Sequence, residues 1–158
     1  MKLIIVSNYI NHHQIPFCEA MFERLGTDFV FIQTEPMEAE RVRMGWAVDA
    51  KAIPYVKLFY ESAQECRNLI ESCDLLVAGW LENSGSAAAD GLPGAFEVVM
   101  QRLGSGKPAI RISERIYREG QWKAVSPRGL MAKYKEHIRF RKFPVWLLCA
   151  GAYVASDF

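Results

Sequence analysis

Residues 2–7, KLIIVS, open the chain as an unbroken apolar run, and residues 8–14, NYINHHQ, follow as a polar loop. Apolar residues at consecutive positions, rather than alternating ones, fit a strand covered on both faces, as in a parallel sheet. Pro16 then suits the first turn of a helix. Phe17, Ala20, Met21 and Leu25 recur at helical spacing, and Gly26 closes the helix. The second strand is 28–33, containing FVFIQ.

The same alternation continues along the chain. Residues 34–51 are polar and mixed, with a Gly45-Trp46 pair, and read as an irregular excursion with little regular structure. Residues 53–56 form a short third strand. A helix over 62–73 places Cys66, Leu69, Ile70 and Cys73 on one side, and DLLVA at 74–78 is the next strand. The small-residue loop 82–94, ENSGSAAADGLPG, leads into a helix over 95–103. A strand over 108–112 comes next. Ser126 is placed to cap a helix begun by Pro127 and running to Arg141, on which Leu130, Met131, Tyr134 and Ile138 share a packing side. Residues 145–154 read as a last buried strand. Strands alternating with helices predict an α/β fold: a Rossmann-like three-layer αβα sandwich with a mostly parallel sheet. At 158 residues the chain is the size of one domain.

Composition narrows the function. With 51% hydrophobic and 23% charged residues, the chain is that of a globular domain. The formal net charge is +1, and there is no RNA-binding aromatic pair or helix-turn-helix pattern, which argues against a nucleic-acid partner. Cys18, Cys66, Cys73 and Cys149 lie in apolar segments without a close pair. They read as reduced, buried thiols of a cytoplasmic protein, with no metal site. No apolar run reaches the ~20 residues needed to cross a bilayer, and the first run is too short for a signal peptide. There is no GxSxG elbow for a serine hydrolase. Neither GxGxxG nor GxxxxGK[ST] is present, so no phosphate-cradling loop or cofactor is expected in this domain.

Ligands of open α/β sheets bind beyond the carboxyl ends of the strands. Three polar turns are expected there. Asn11, His12, His13 and Gln14 follow the first strand; a neutral imidazole could take a proton from a hydroxyl, and His13 is the leading catalytic candidate. The alternative is a surface loop whose side chains cap the next helix. Trp80 follows the strand 74–78, where an indole face can carry a sugar ring or simply pack. Glu114 and Arg115 follow the strand 108–112 and could bind hydroxyls or a phosphate, or form an ordinary ion pair at a helix start.

IIVSNYINHHQIPF near the start, SGKPAIRISERIYREG in the middle, and SPRGLMAKYKEHIRF with LLCAGAYVASDF at the end together resemble the N-terminal, acceptor-side domain of bacterial glycosyltransferases of the GT-B fold, family 4-like. The resemblance covers most of the chain, with 82–94 matching less well. It implies one Rossmann-like domain over 1–158, paired in a whole enzyme with a C-terminal domain that holds a nucleotide-sugar donor. It implies transfer of a sugar to a glycan or lipid-linked acceptor in polysaccharide biosynthesis, with this half inactive alone. It also implies peripheral contact with the inner face of a membrane, for which the basic helix from Pro127 to Lys142 is the candidate. The abrupt end at Phe158 reads as a truncation. The rival reading is a stand-alone Rossmann-like binding module without transfer chemistry, and the reading frame beyond Phe158 separates the two. An epimerase is disfavoured by the missing glycine-rich loop.

Overall fold

The computed structural model describes residues 1–81, 91–113 and 126–150. Six strands form one all-parallel sheet: β1 (Leu3–Ser7), β2 (Phe29–Gln33), β3 (Val56–Leu58), β4 (Leu75–Ala78), β5 (Ala109–Ser113) and β6 (Val145–Cys149), in the order β3-β2-β1-β4-β5-β6. This is the Rossmann-like α/β arrangement that the alternating pattern predicts. The chain reverses its direction of travel across the sheet between β1 and β4, which creates a switch point.

Every residue of β1 and β2 is buried, because alternate side chains feed cores on opposite faces. Ile4, Val6, Val30 and Ile32 pack with Cys66 and Ile70 of α3 (Ala63–Ser72) and with Val98 and Leu103 of α4 (Ala95–Leu103). Leu3, Ile5, Phe29 and Phe31 pack on the other face with Cys18 of α1 (Ile15–Leu25) and with Tyr55. The stripe that α1 buries is Cys18, with Met21, Phe22 and Leu25 beside it. It does not include Phe17, which is exposed because it lies one position around the helix from the sheet-facing Cys18. Gly26, at φ +55°, ends α1 in a conformation costly for a side chain.

The third strand lies later than the pattern suggests. Ile53 and Tyr55 are used as core contacts, and pairing starts at Val56. Lys57 escapes burial by reaching Glu65 at 2.8 Å. The excursion at 34–51 is not irregular throughout. A helical turn, α2 (Ala39–Arg41), runs on into a wider turn, Val42–Trp46, interrupted by Gly45 at φ +81°.

Ser126 caps α5 (Pro127–Glu136) as expected, its Oγ accepting from the Gly129 N–H at 3.1 Å. The helix stops short of Arg141: the chain swings at His137 into a 3-10 turn, Ile138–Phe140, which delivers Phe140 to the core. Leu130, Met131, Tyr134 and Ile138 are exposed and do not form a packing side. The last strand is not fully buried either. As the outer strand it turns Trp146 and Leu148 to the surface, 56% and 54% exposed, and its expected continuation over 151–154 lies outside the described residues.

Two buried features hold the frame. Arg102 of α4 is only 3% exposed. Its guanidinium donates to the carbonyls of Lys107, Cys73 and Pro108 at 3.0, 3.1 and 3.2 Å, joining the ends of α3, α4 and β5. Burial raises the Cys66 and Cys73 thiols and pushes Cys18 up to about 12, so none of these three supplies a thiolate near neutral pH. Cys149 is only half-buried, being on the outer strand.

Candidate functional site

The loops after β1, β2 and β4 are tied together at the switch point. The Asn8 N–H donates to the Trp80 carbonyl at 2.8 Å, and Ser7 Oγ donates to the same oxygen at 3.3 Å. Between them Gly79 leaves no room for a side chain. A Cβ there would lie 2.8 Å from Ser7 Oγ and 3.1 Å from Ser7 Cβ. Gly79→Ala should therefore lower stability by about 1–2 kcal/mol through overpacking, seen as a lower urea midpoint. An unchanged midpoint would show that the two loops can part at no cost.

Gln33, at the end of β2, is the hidden centre of this rim. It is buried, its Oε1 accepts from the Ile10 N–H at 3.2 Å, and its Nε2 donates to the Glu35 carbonyl at 2.8 Å and to Tyr60 Oη at 3.4 Å. One amide thus fixes the loops after β1, β2 and β3. The Thr34 and Glu35 N–H groups also donate to the Asn8 carbonyl, at 3.0 and 2.9 Å. Beneath the same rim, Thr34 Oγ1 is buried without a hydrogen-bond partner among the described residues.

The four polar residues after β1 divide into two roles. Asn11 Oδ1 accepts from the N–H groups of His13 and Gln14 at 3.0 and 3.3 Å, and Gln14 Oε1 accepts from the Asn11 N–H at 3.2 Å. That reciprocal pair has the form of a capping box around the turn 11–14 that leads into α1, so the side-chain oxygens of Asn11 and Gln14 are committed to holding the histidine loop. The imidazoles of His12 and His13 are exposed, with ring centres 3.9 Å apart. Trp46 stands edge-on to both, 5.2 Å from His12 and 6.2 Å from His13, and Arg41 lies over the indole at 4.6 Å. The excursion after β2 therefore closes over the histidine loop.

Trp80 is tied through its carbonyl to the start of the loop after β1, at Asn8 and Ser7, and is itself 71% exposed. Arg111 pairs with Ala78, the last residue of β4, so β5 runs on past it to Ser113 at the same edge of the sheet. In the all-parallel sheet the carboxyl ends of β1, β4 and β5, from which Asn8, Trp80 and Ser113 are reached, lie along one edge. Glu114 and Arg115 lie outside the described residues. The reading of the sequence missed Gln33, Trp46 and Arg41. A glutamine ending an otherwise apolar strand was the available signal for the first, and the Gly-Trp pair for the second.

Chemically the loops at this edge offer two imidazoles, two indoles and a guanidinium. Among the described residues, no three of His, Cys, Asp or Glu are grouped to hold a metal ion, and no helix is long and apolar enough to cross a membrane. Comparisons with family models, curated proteins and solved structures found no match to this chain.

Proposed function

We propose that this rim holds the acceptor in a glycosyl transfer, as the acceptor-side half of a GT-B-type enzyme. The observation that carries the reading is the joining of the β1 and β4 loops at the switch point, with the first loop carrying the exposed His12 and His13 against Trp46 and the second ending in the exposed Trp80. Indole faces suit the apolar faces of sugar rings. His13 would take the proton of the acceptor hydroxyl as its oxygen bonds to the anomeric carbon. The leaving diphosphate would depart with the electron pair of the broken bond, stabilised by donors of a second, nucleotide-sugar-binding domain.

The test is transfer by the full-length gene product across a panel of nucleotide-sugars. Turnover supports the reading. Saccharide binding at Trp80 and Trp46 with no transfer from any donor would instead leave a binding module.

A lipid-linked acceptor carries a further expectation. α5 and the turn after it expose Leu130, Met131, Tyr134 and Ile138 in a segment that also carries Arg128, Lys133, Lys135, Arg139, Arg141 and Lys142. Apolar side chains among basic ones fit an anionic bilayer surface, where each basic residue adds about 1 kcal/mol. The protein should co-sediment with phosphatidylserine-containing vesicles and not with phosphatidylcholine alone, and Leu130→Asp with Met131→Asp should abolish this. Failure to sediment with anionic vesicles at low salt removes the membrane from the proposal.

A further inference from the structure

Tyr60 follows the end of β3, at the edge where β1 and β2 also end: Leu58 pairs with Gln33, and Gln33 with Ser7. The chain divides its two aromatic residues there. Phe59 is buried in the core with Cys66 and Ile70, while Tyr60 is 45% exposed. The phenol oxygen is nevertheless fixed, because Gln33 Nε2 donates to it at 3.4 Å. The direction of that bond is forced. The Ile10 N–H can only donate, so it requires the Gln33 oxygen; the Glu35 carbonyl can only accept, so it requires the Gln33 nitrogen. A reversed amide would lose both bonds. The phenol oxygen therefore accepts, and its own hydrogen points away from Gln33. Tyr60 donates to no group among the described residues. The carboxylate of Glu61, next in the chain, is held by Lys51 at 2.6 Å. Burial raises the phenol above its ordinary range and outweighs the opposing Gln33 hydrogen bond, so the hydroxyl keeps its hydrogen across neutral pH. The same Gln33 amide holds Ile10, just before the histidine loop. One side chain thus aims a neutral donor at solvent and anchors the loop that carries His12 and His13.

We propose that Tyr60 is a saccharide-binding residue, its hydroxyl donating to one sugar hydroxyl oxygen, so that a sugar held at the histidine loop extends across the end of β2 towards β3. This rests on the reading that a saccharide occupies this edge, and not on that saccharide being transferred. Small-molecule sites fix orientation with a few placed polar groups beside aromatic faces. Tyr60 supplies such a group, and Trp46 the aromatic face. A neutral donor with one set direction suits a sugar hydroxyl, which accepts through its oxygen and stays uncharged.

The experiment is titration of the protein with maltose, cellobiose, lactose and methyl α-mannoside, followed by tryptophan fluorescence. The tightest binder is then compared with its monodeoxy analogues on wild type, Tyr60→Phe and Trp46→Ala. Tyr60→Phe should bind the parent sugar about three- to tenfold more weakly, the scale of one neutral hydrogen bond. One monodeoxy analogue should show the same loss on wild type and no further loss on Tyr60→Phe, which a packing role for the ring would not produce. Tyr60→Phe keeps the ring and removes one oxygen, and its urea midpoint checks that it folds as wild type does. Wild-type affinity in Tyr60→Phe, or a further loss for every analogue on that variant, overturns the role of Tyr60. If Trp46→Ala still loses binding in that case, the saccharide reading of the edge survives. Binding of none of the four sugars at tens of millimolar overturns this proposal together with that reading.

Discussion

Arg102→Ala should cost about 3–4 kcal/mol of stability, the largest loss expected from any single surface-looking residue in this chain. The guanidinium serves three carbonyls, of Cys73, Lys107 and Pro108, in a place from which water is excluded. Hydrogen bonds from a charged donor are worth about 1.5–3 kcal/mol each, and a buried carbonyl left alone costs about 1–3. These contributions overlap, so the sum is less than three full bonds. Against a total stability of ~5–15 kcal/mol, the loss would bring the fold close to its limit. In urea the midpoint should fall with the slope unchanged. Arg102→Lys retains the charge but cannot reach three acceptors as a fork can, and should fall between wild type and alanine. A midpoint for Arg102→Ala within experimental error of wild type would mean that the three carbonyls find other partners.

The second large effect concerns turnover. If the chain is the acceptor half of a two-domain transferase as proposed, His13→Ala in that enzyme should lower kcat by about 100-fold or more, the scale of a positioned acid–base group, with a smaller change in KM. Trp46→Ala should be milder and should change both, because the indole packs edge-on to both imidazoles and does not itself carry a proton. Trp46→Phe should restore part of the loss. Wild-type kcat/KM for His13→Ala would remove the residue from the chemistry and leave the histidine loop as a turn leading into α1.

Much of the frame was legible because the physical signal is local. Buried parallel strands must be apolar along their whole length, and KLIIVS, FVFIQ and DLLVA can hardly be anything else. The placing of Asn8, Trp80 and Ser113 along one edge followed from the rule that the carboxyl ends of parallel strands gather on the same side. What could not be read was set by distant partners. Lys57 looks wrong for a strand until Glu65 stands beside it. Arg102 looks like the solvent-facing end of a helix until Cys73 and Pro108 supply their carbonyls. Leu130, Met131, Tyr134 and Ile138 have the spacing of a core stripe, yet spacing does not say which face the neighbouring strand will cover. Trp46 is 33 residues from His13 in sequence, and only the fold after β2 sets their rings near one another.

The single amide of Gln33 has a consequence for motion. Because it joins three connections by hydrogen bonds to Ile10, Glu35 and Tyr60, those connections should not open one by one. Their amide protons should exchange with solvent as one cooperative unit, with a shared free energy of opening. A molecule that settles against any one of them would slow exchange in the other two.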